Sequence, residues 1–268
     1  MAIMESLHDA ARDCLLEPDV DAKLAATRRT AAAWRCGELQ IGEGVDPRRV
    51  EDPGRPERPR LVPPRELPRR GPQSLQGRAA LLHAVCHIEF NAINLAWDAV
   101  YRFRDLPGEY YTDWVRIAAE ETRHFVLVRR HLAALGYAYG DFDAHNGLWE
   151  LAVRTDHDPL VRMALVPRVM EARGLDVTPG MRDRLAAVGD TAAAAILETI
   201  LTDEVGHVEA GSRWFRYLCR QRGEEPEATY YRLVAAYLRG PVKPPLNRSA
   251  RLAGGFTEAE LDYLEAQT

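Results

Sequence analysis

The sequence predicts an all-α protein, and three observations support that prediction. Windows rich in Ala, Leu, Arg and Glu repeat apolar residues at helical spacing through most of the 268 residues. The alternation of β-branched and aromatic residues that is typical of strands is almost absent. Helix-ending and helix-starting residues, such as Gly136 and the pair Thr257 and Glu260, stand at the edges of those windows.

The composition is that of a folded chain with a moderate negative charge. Hydrophobic residues make up 46%, which allows a sizeable core, and the formal net charge is -5 with a pI near 5.9. Most duplex-binding domains are basic, so nucleic acid is a minor hypothesis. The four cysteines lack the C-x-x-C spacing of zinc, iron and redox motifs. Since neither a signal peptide nor a long apolar run is evident, we expect a cytoplasmic protein without a membrane segment.

The predicted elements fall into four segments. Residues 1–46 are predicted to be an N-terminal helical appendage, interrupted near Pro18. Residues 47–73 are rich in proline and arginine and are predicted to form an extended strap, because proline removes a backbone donor and disfavours helix before it. Residues 74–223 are predicted to form the main bundle, and residues 224–268 to form C-terminal helices packed on it.

Within residues 74–223 the apolar periodicity predicts long helices. Their predicted positions are Leu75 to Phe103, Glu109 to Leu135, a helical region from about Pro159, and Thr191 to Arg222. In the third region, Pro167 is predicted to kink or bulge the helix, with a plain helix start nearby as the alternative, and Thr178 is predicted to cap a new helix that starts at Pro179. A short loop makes the first two helices antiparallel neighbours, and a longer crossover around "GDFDAHNG" leads to the third region of a four-helix bundle.

The candidate functional residues lie in two similar motifs, "EETRH" at residues 120–124 and "DEVGH" at residues 203–207. Each places a glutamate three residues before a histidine, so that both side chains lie on one face of a helix. The pairs are Glu121 with His124 and Glu204 with His207. This spacing alone is weak evidence, because such pairs also arise by chance.

The specific signal is that the pattern occurs twice. Another glutamate in an apolar stripe precedes each motif, Glu89 by 32 residues and Glu171 by 33 residues. A buried ionised carboxylate must be paired, protonated or bound to metal, because burial without a partner is very costly. The doubled pattern therefore predicts one centre with four carboxylates and two imidazoles.

Such a centre would bind two divalent cations. Their four positive charges would neutralise the four glutamates, which would otherwise repel one another and take up protons. Oxygen and imidazole ligands favour iron, with manganese as the alternative, whereas structural zinc sites normally use thiolates. The predicted ligands are Glu89, Glu121, His124, Glu171, Glu204 and His207. The alternative interpretation is a helical bundle in which these six residues form salt bridges.

Residues beside the ligands are candidates for a supporting role. Glu120 and Asp203 could accept hydrogen bonds from the free ring N–H groups of the ligand histidines, and Arg123 could anchor them. For all three, a solvated or salt-bridged role is the alternative. His83 and His87 are interpreted as core or surface histidines, because His87 lies about 200° around the helix from the nearby glutamate.

At these residues the sequence resembles the ferritin-like superfamily of non-haem di-iron carboxylate proteins. The first motif matches its (D/E)-E-x-R-H pattern fully, the second lacks the arginine, and the resemblance covers Leu75 to Arg222. More closely, "LVPPRELPRR", "VPRVMEARGLDVTPGM" and "ILTDEVGHVEAGSRWF" resemble domain of unknown function 455, a family related to a tRNA-modifying hydroxylase. The resemblance implies the same six ligands and brings no established substrate.

Departures from other ferritin-like proteins narrow the function. Val128 stands where ribonucleotide reductase has its radical tyrosine, and the chain lacks the cysteine pairs of rubrerythrins. The leading hypothesis is an oxidoreductase in which two iron ions use O2 or peroxide to oxidise a small organic substrate, with an external electron donor as a further partner. The alternatives are iron or manganese handling, including ferroxidase activity, and tRNA hydroxylation.

Overall fold

Helices form nearly all of the regular structure in the computed structural model, which describes residues 5–42, 44–67, 71–238, 240 and 242–267. The all-α prediction is confirmed. The described residues also include two short strands, β1 (Glu5–Ser6) and β2 (Leu39–Gln40), which pair in parallel. The chain divides into two compact units, Met1–Val153 and Arg154–Thr268. The four-segment organisation stays a prediction.

The first unit is built around two long helices. Its helices are α1 (Leu7–Leu16), α2 (Val20–Arg35), α3 (Leu75–Arg102), α4 (Gly108–Ala134) and α5 (Gly147–Arg154), the last of which reaches the unit boundary. α3 packs against α4 and α1, while α2 packs against α4. The predicted interruption near Pro18 is confirmed, because Asp19 starts a new helix by accepting a hydrogen bond from the Ala22 N–H at 2.8 Å.

α3 is the central helix of this unit. By length and composition alone it could cross a membrane, since its most apolar window has a mean hydropathy of 1.2. However, 78% of that window is buried inside the protein. α3 is therefore buried as a core helix packed by its neighbours. Ser74 caps its start by accepting a hydrogen bond from the Gly77 N–H at 3.0 Å.

The second unit is a set of helices gathered around α8. Its elements are α6 (Pro159–Leu165), a π-helical segment (Val166–Glu171), α7 (Ala172–Ala187), α8 (Thr191–Arg222), α9 (Pro226–Tyr237), α10 (Arg248–Ala253) and α11 (Glu258–Ala266). α6, the π segment and α7 all pack against α8. The predicted cap of the last helix is confirmed, because Thr257 and Glu260 form a reciprocal capping box. The sequence also predicts a helix from Pro226 to Arg239; α9 begins at Pro226, and Arg239 lies outside the described residues.

The predicted helix start at Thr178 is wrong. α7 runs without a break from Ala172 to Ala187, with Pro179 inside it. Proline cannot donate to the carbonyl four residues earlier, so the carbonyl of Leu175 loses its helical partner. Asn247 replaces that partner, since its side-chain Nδ2 donates to the Leu175 oxygen at 3.1 Å. A residue far along the chain therefore removes much of the cost that a helical proline normally carries.

The short elements were the least predictable. The pattern did not predict α5, which has 8 residues, or α10, which has 6. In the predicted strap, residues 47–67 have little regular structure apart from a 3-10 turn at Pro64–Glu66 and a bridge between Leu61 and Ala144. Residues 68–70 of that segment lie outside the described residues.

Candidate metal centre

Three of the six predicted ligands lie together in the first unit. Glu89 on α3, and Glu121 and His124 on α4, each offer a ligand atom, and these atoms lie within 4.8 Å of one another. Nδ1 of His124 is 3.2 Å from Oε2 of Glu89 and 3.3 Å from Oε2 of Glu121. The imidazole is 0% exposed and the two carboxylate side chains are 5% and 1% exposed. These three residues therefore form a buried group that could hold a metal ion.

The net charge of this group favours binding of a cation. Burial alone would lower the pKa of His124, but its hydrogen bonds to Glu121 and Glu89 outweigh burial and raise the pKa to about 11. Two ionised glutamates and a protonated imidazole still carry one net negative charge. A divalent ion in place of that proton, with the imidazole neutral, would make the group neutral. The donor set therefore fits a divalent metal.

Apolar side chains surround the motif on α4. Ile117, Ala118, Phe125 and Val128 are each at most 2% exposed. They lie three or four residues, or seven, from Glu121, which places them on its face of the helix. This surrounding excludes water, so electrostatic interactions within the group are stronger than at a surface.

The second unit holds the other three predicted ligands. On α8, Nδ1 of His207 lies 3.4 Å from Oε1 of Glu204, and these side chains are 0% and 12% exposed. Glu171 is the last residue of the π segment and is half-buried. The π segment packs directly against α8.

A close contact fixes the π segment against α8. A Cβ atom added at Gly211 would lie 2.3 Å from Cγ of Pro167, so only glycine allows this approach. α7 and α8 are joined by residues 188–190 and run antiparallel. Glu171 precedes this connection by about as many residues as His207 follows it, so the two residues lie at about the same level. The predicted distortion at Pro167 is confirmed, and it lies beside the second Glu-x-x-His motif.

A buried arginine anchors the same segment. Arg168 donates from Nη2 to Oε2 of Glu260 at 2.6 Å and from Nε to Oγ of Ser212 at 3.1 Å, and its side chain is 1% exposed. Its guanidinium lies 4.2 Å from the ring centre of Tyr230. The sequence did not single out Arg168, because only its burial distinguishes it from the many exposed arginines.

The three predicted supporting residues differ in their surroundings. Glu120 is half-buried and accepts a hydrogen bond from Nη1 of Arg116 at 2.7 Å. Asp203 is half-buried, while Arg123 is exposed. Their roles in orienting the ligand histidines, like the six-ligand set as a whole, stay predictions.

Comparison with known proteins places the chain in a family. The family model described as "Protein of unknown function (DUF455)" matches residues 16–262. The chain belongs to DUF455. The resemblance to domain of unknown function 455 is therefore confirmed, and all six predicted ligands lie inside the matched region.

Another protein similar to this DUF455 chain comes from Haemophilus influenzae (strain ATCC 51907 / DSM 11121 / KW20 / Rd) and is described as an "Uncharacterized protein". The two are 48% identical over 216 residues, which cover 78% of this chain and 75% of the relative. No solved structure matches the chain.

Beside the predicted ligands, other residues of this DUF455 protein form a polar network on α3. Nδ1 of His87 lies 2.9 Å from Oη of Tyr139, and its Nε2 lies 3.0 Å from Nδ2 of Asn91. Both ring nitrogens are thus engaged, which agrees with the interpretation of His87 as a core histidine. Tyr139 was missed in the sequence, because it belongs to a loop and is brought to α3 only by folding.

His83 gives this DUF455 protein an acid-sensitive contact. Its side chain is 0% exposed and Nε2 accepts from the Gly140 N–H at 2.9 Å. Burial lowers the pKa of His83 from 6.5 to about 4. In the unfolded chain this histidine binds a proton below about pH 6.5, whereas in the folded chain it does so only below about pH 4. The stability that neutral His83 contributes is therefore fully present above pH 6.5 and is lost as the pH falls from 6.5 to 4.

We expect this effect to appear as a difference between wild type and His83→Gln, whose amide oxygen can still accept from Gly140. Between pH 7 and pH 4.5, wild type should lose about 2.5 kcal/mol more stability than the variant. Urea unfolding followed by circular dichroism at several pH values measures this difference. Parallel pH profiles for the two proteins would show that His83 does not contribute.

Proposed function

We propose that this DUF455 protein is a non-haem di-iron oxidoreductase built on a ferritin-like four-helix bundle, with manganese as the alternative metal. The observation that supports it most is the imidazole of His124 buried between the carboxylates of Glu89 and Glu121. Carboxylate oxygens and imidazole nitrogens are the donors that Fe(II) and Mn(II) accept in dinuclear bundle proteins.

In this proposal Glu171, Glu204 and His207 supply the donors for the second ion. Each half of the centre then has two carboxylates and one imidazole, and each neutralises one divalent cation. The sequence also spaces the two halves alike, with a glutamate 32 or 33 residues before each motif. When bound, the two metal ions would supply electrons for the reduction of O2 or peroxide while a small organic substrate is oxidised.

The chain itself would hold the ligands and keep water out. The apolar residues around Glu121 provide a dry environment, and the contact of Pro167 with Gly211 fixes the backbone that ends at Glu171. Asp203 would orient His207 by accepting its free ring N–H group, whereas Glu120 binds Arg116. The proposed partners are O2 or peroxide, a small organic substrate and an external electron donor.

Metal loading followed by O2 titration tests the proposal. Purified metal-free protein is loaded anaerobically with Fe(II), the bound iron is measured, and O2 is then added with and without a reductant. We expect about two iron ions per chain and O2 consumption limited to that iron when no reductant is present. Glu204→Ala should lose bound iron, whereas Glu198→Ala, at an exposed position of the same helix, should keep it.

Other outcomes identify the alternatives. Uptake of many iron ions per chain, with O2 consumption that continues as Fe(II) is added, would indicate iron storage. Oxidation of a tRNA nucleoside would indicate a tRNA hydroxylase. A protein that binds neither Fe(II) nor Mn(II) would contradict the proposal and leave a salt-bridged bundle.

A further inference from the structure

A groove between α2 and α4 lies on the side of α4 that faces away from the metal ligands. Its volume is 730 Å³, which is the size of a pocket for a small organic molecule. Residues 116, 119 and 123 of α4 lie about 140° to 200° around the helix from Glu121. The groove is therefore separate from the candidate metal centre. Its main lining residues are Trp34, Arg35, Val115, Arg116, Ala119 and Arg123.

The groove has an apolar floor and an aromatic wall. Ala31, Val115 and Ala119 offer only carbon atoms from their side chains. Trp34 is half-buried, and its Nε1 donates to Oγ1 of Thr112 at 3.2 Å, a bond that ties the indole to α4. A ring held in this way offers a flat apolar surface at little cost in side-chain entropy.

Positive charge surrounds this apolar surface. Arg35, Arg116 and Arg123 line the groove and are exposed, and Glu120 is the acidic residue among the lining side chains. The lining side chains thus carry three positive charges and one negative charge. Arg116 is held in place by Glu120, whose Oε2 accepts from its Nη1 at 2.7 Å.

We propose that this groove binds a small organic carboxylate with a flat apolar body. The body would stack on Trp34 over the alanine and valine floor, and the carboxylate would pair with the guanidinium groups of Arg35 and Arg123, whose forked donors match two carboxylate oxygens. A second copy of the chain is a poor occupant, because a symmetric contact would bring the same arginines face to face.

The test compares two probes of the same shape and different charge, 2-naphthoate and 2-naphthylmethanol. Isothermal titration of wild type should show one naphthoate site, with the alcohol binding at least about fivefold more weakly. Arg35→Glu combined with Arg123→Glu should weaken naphthoate at least about tenfold. The matched control, Arg29→Glu with Arg130→Glu, makes the same charge change on the same two helices outside the groove and should bind as wild type does.

The remaining outcomes overturn the proposal. Equal affinity for the acid and the alcohol would show that the arginines do not recognise the carboxylate. Absence of naphthoate binding would show that the groove is not a binding site for such a molecule. Sedimentation that shows a dimer dissociated by Arg35→Glu with Arg123→Glu would make the groove a contact between copies of the chain. If the charge-reversed protein fails to fold by circular dichroism, Arg35→Gln with Arg123→Gln takes its place, and unchanged naphthoate affinity in that variant contradicts the proposal.

Discussion

Glu121→Gln is expected to abolish iron binding at the candidate centre and the Fe(II)-dependent consumption of O2 with it. The substitution keeps the volume of the side chain but removes one of the two negative charges that flank His124. A divalent ion would then leave its half of the centre with a net positive charge in an apolar surrounding, which is costly. Affinity for Fe(II) should fall by more than about 100-fold, beyond the loss typical of residues that only orient a ligand.

The matched control for this substitution is Glu109→Gln. Glu109 lies in the first turn of the same helix and is exposed, so the same chemical change there should leave iron binding as in wild type. Iron content after anaerobic loading and gel filtration measures both variants. If Glu121→Gln retains the iron content of wild type, Glu121 is not a ligand and the di-iron proposal fails.

Asp176→Asn is expected to have the largest effect on stability in the second unit. Asp176 accepts from Nε of Arg251 at 2.9 Å and from its Nη2 at 2.7 Å, and both side chains are 0% exposed. The neutral amide would leave the guanidinium of Arg251 buried without a counter-charge. Breaking a buried pair in this way costs about 3–5 kcal/mol. Urea unfolding, monitored by circular dichroism at constant pH, measures the change in the free energy of unfolding.

Asp183→Asn provides the comparison on the same helix. Asp183 pairs with Arg182 at the surface, where water can replace the lost interaction, so the unfolding midpoint should stay where it is in wild type. Equal midpoints for Asp176→Asn and wild type would show that the Arg251 charge is compensated by other groups.

The long helices could be predicted because their signals are local. Thr191 to Arg222 was predicted with the bounds that the structure has, and the apolar stripe around Glu121 predicted its burial correctly. The grouping of Glu89 with Glu121 also followed from the sequence, since these residues lie at about equal distances before and after the loop that joins two long antiparallel helices. Periodicity and spacing were sufficient wherever an element was stabilised by its own residues.

Prediction failed where distant residues decide the local structure. Pro179 looked like a helix start, and only Asn247, brought near by folding, makes it acceptable inside α7. The network of His87 with Tyr139 depends on a loop that returns to α3, and the burial of Arg168 depends on Glu260. None of these partners leaves a periodic pattern, so a single sequence carries no local signal for them.

Glu260 has a consequence for how much of the chain the metal centre needs. The same carboxylate closes the capping box of α11 and compensates the buried charge of Arg168, three residues before Glu171. A protein shortened before Thr257 would therefore lose more than a terminal helix, because it would leave an uncompensated cation in the interior next to a proposed ligand. The final residues contribute no ligand, yet the position of Glu171 depends on them.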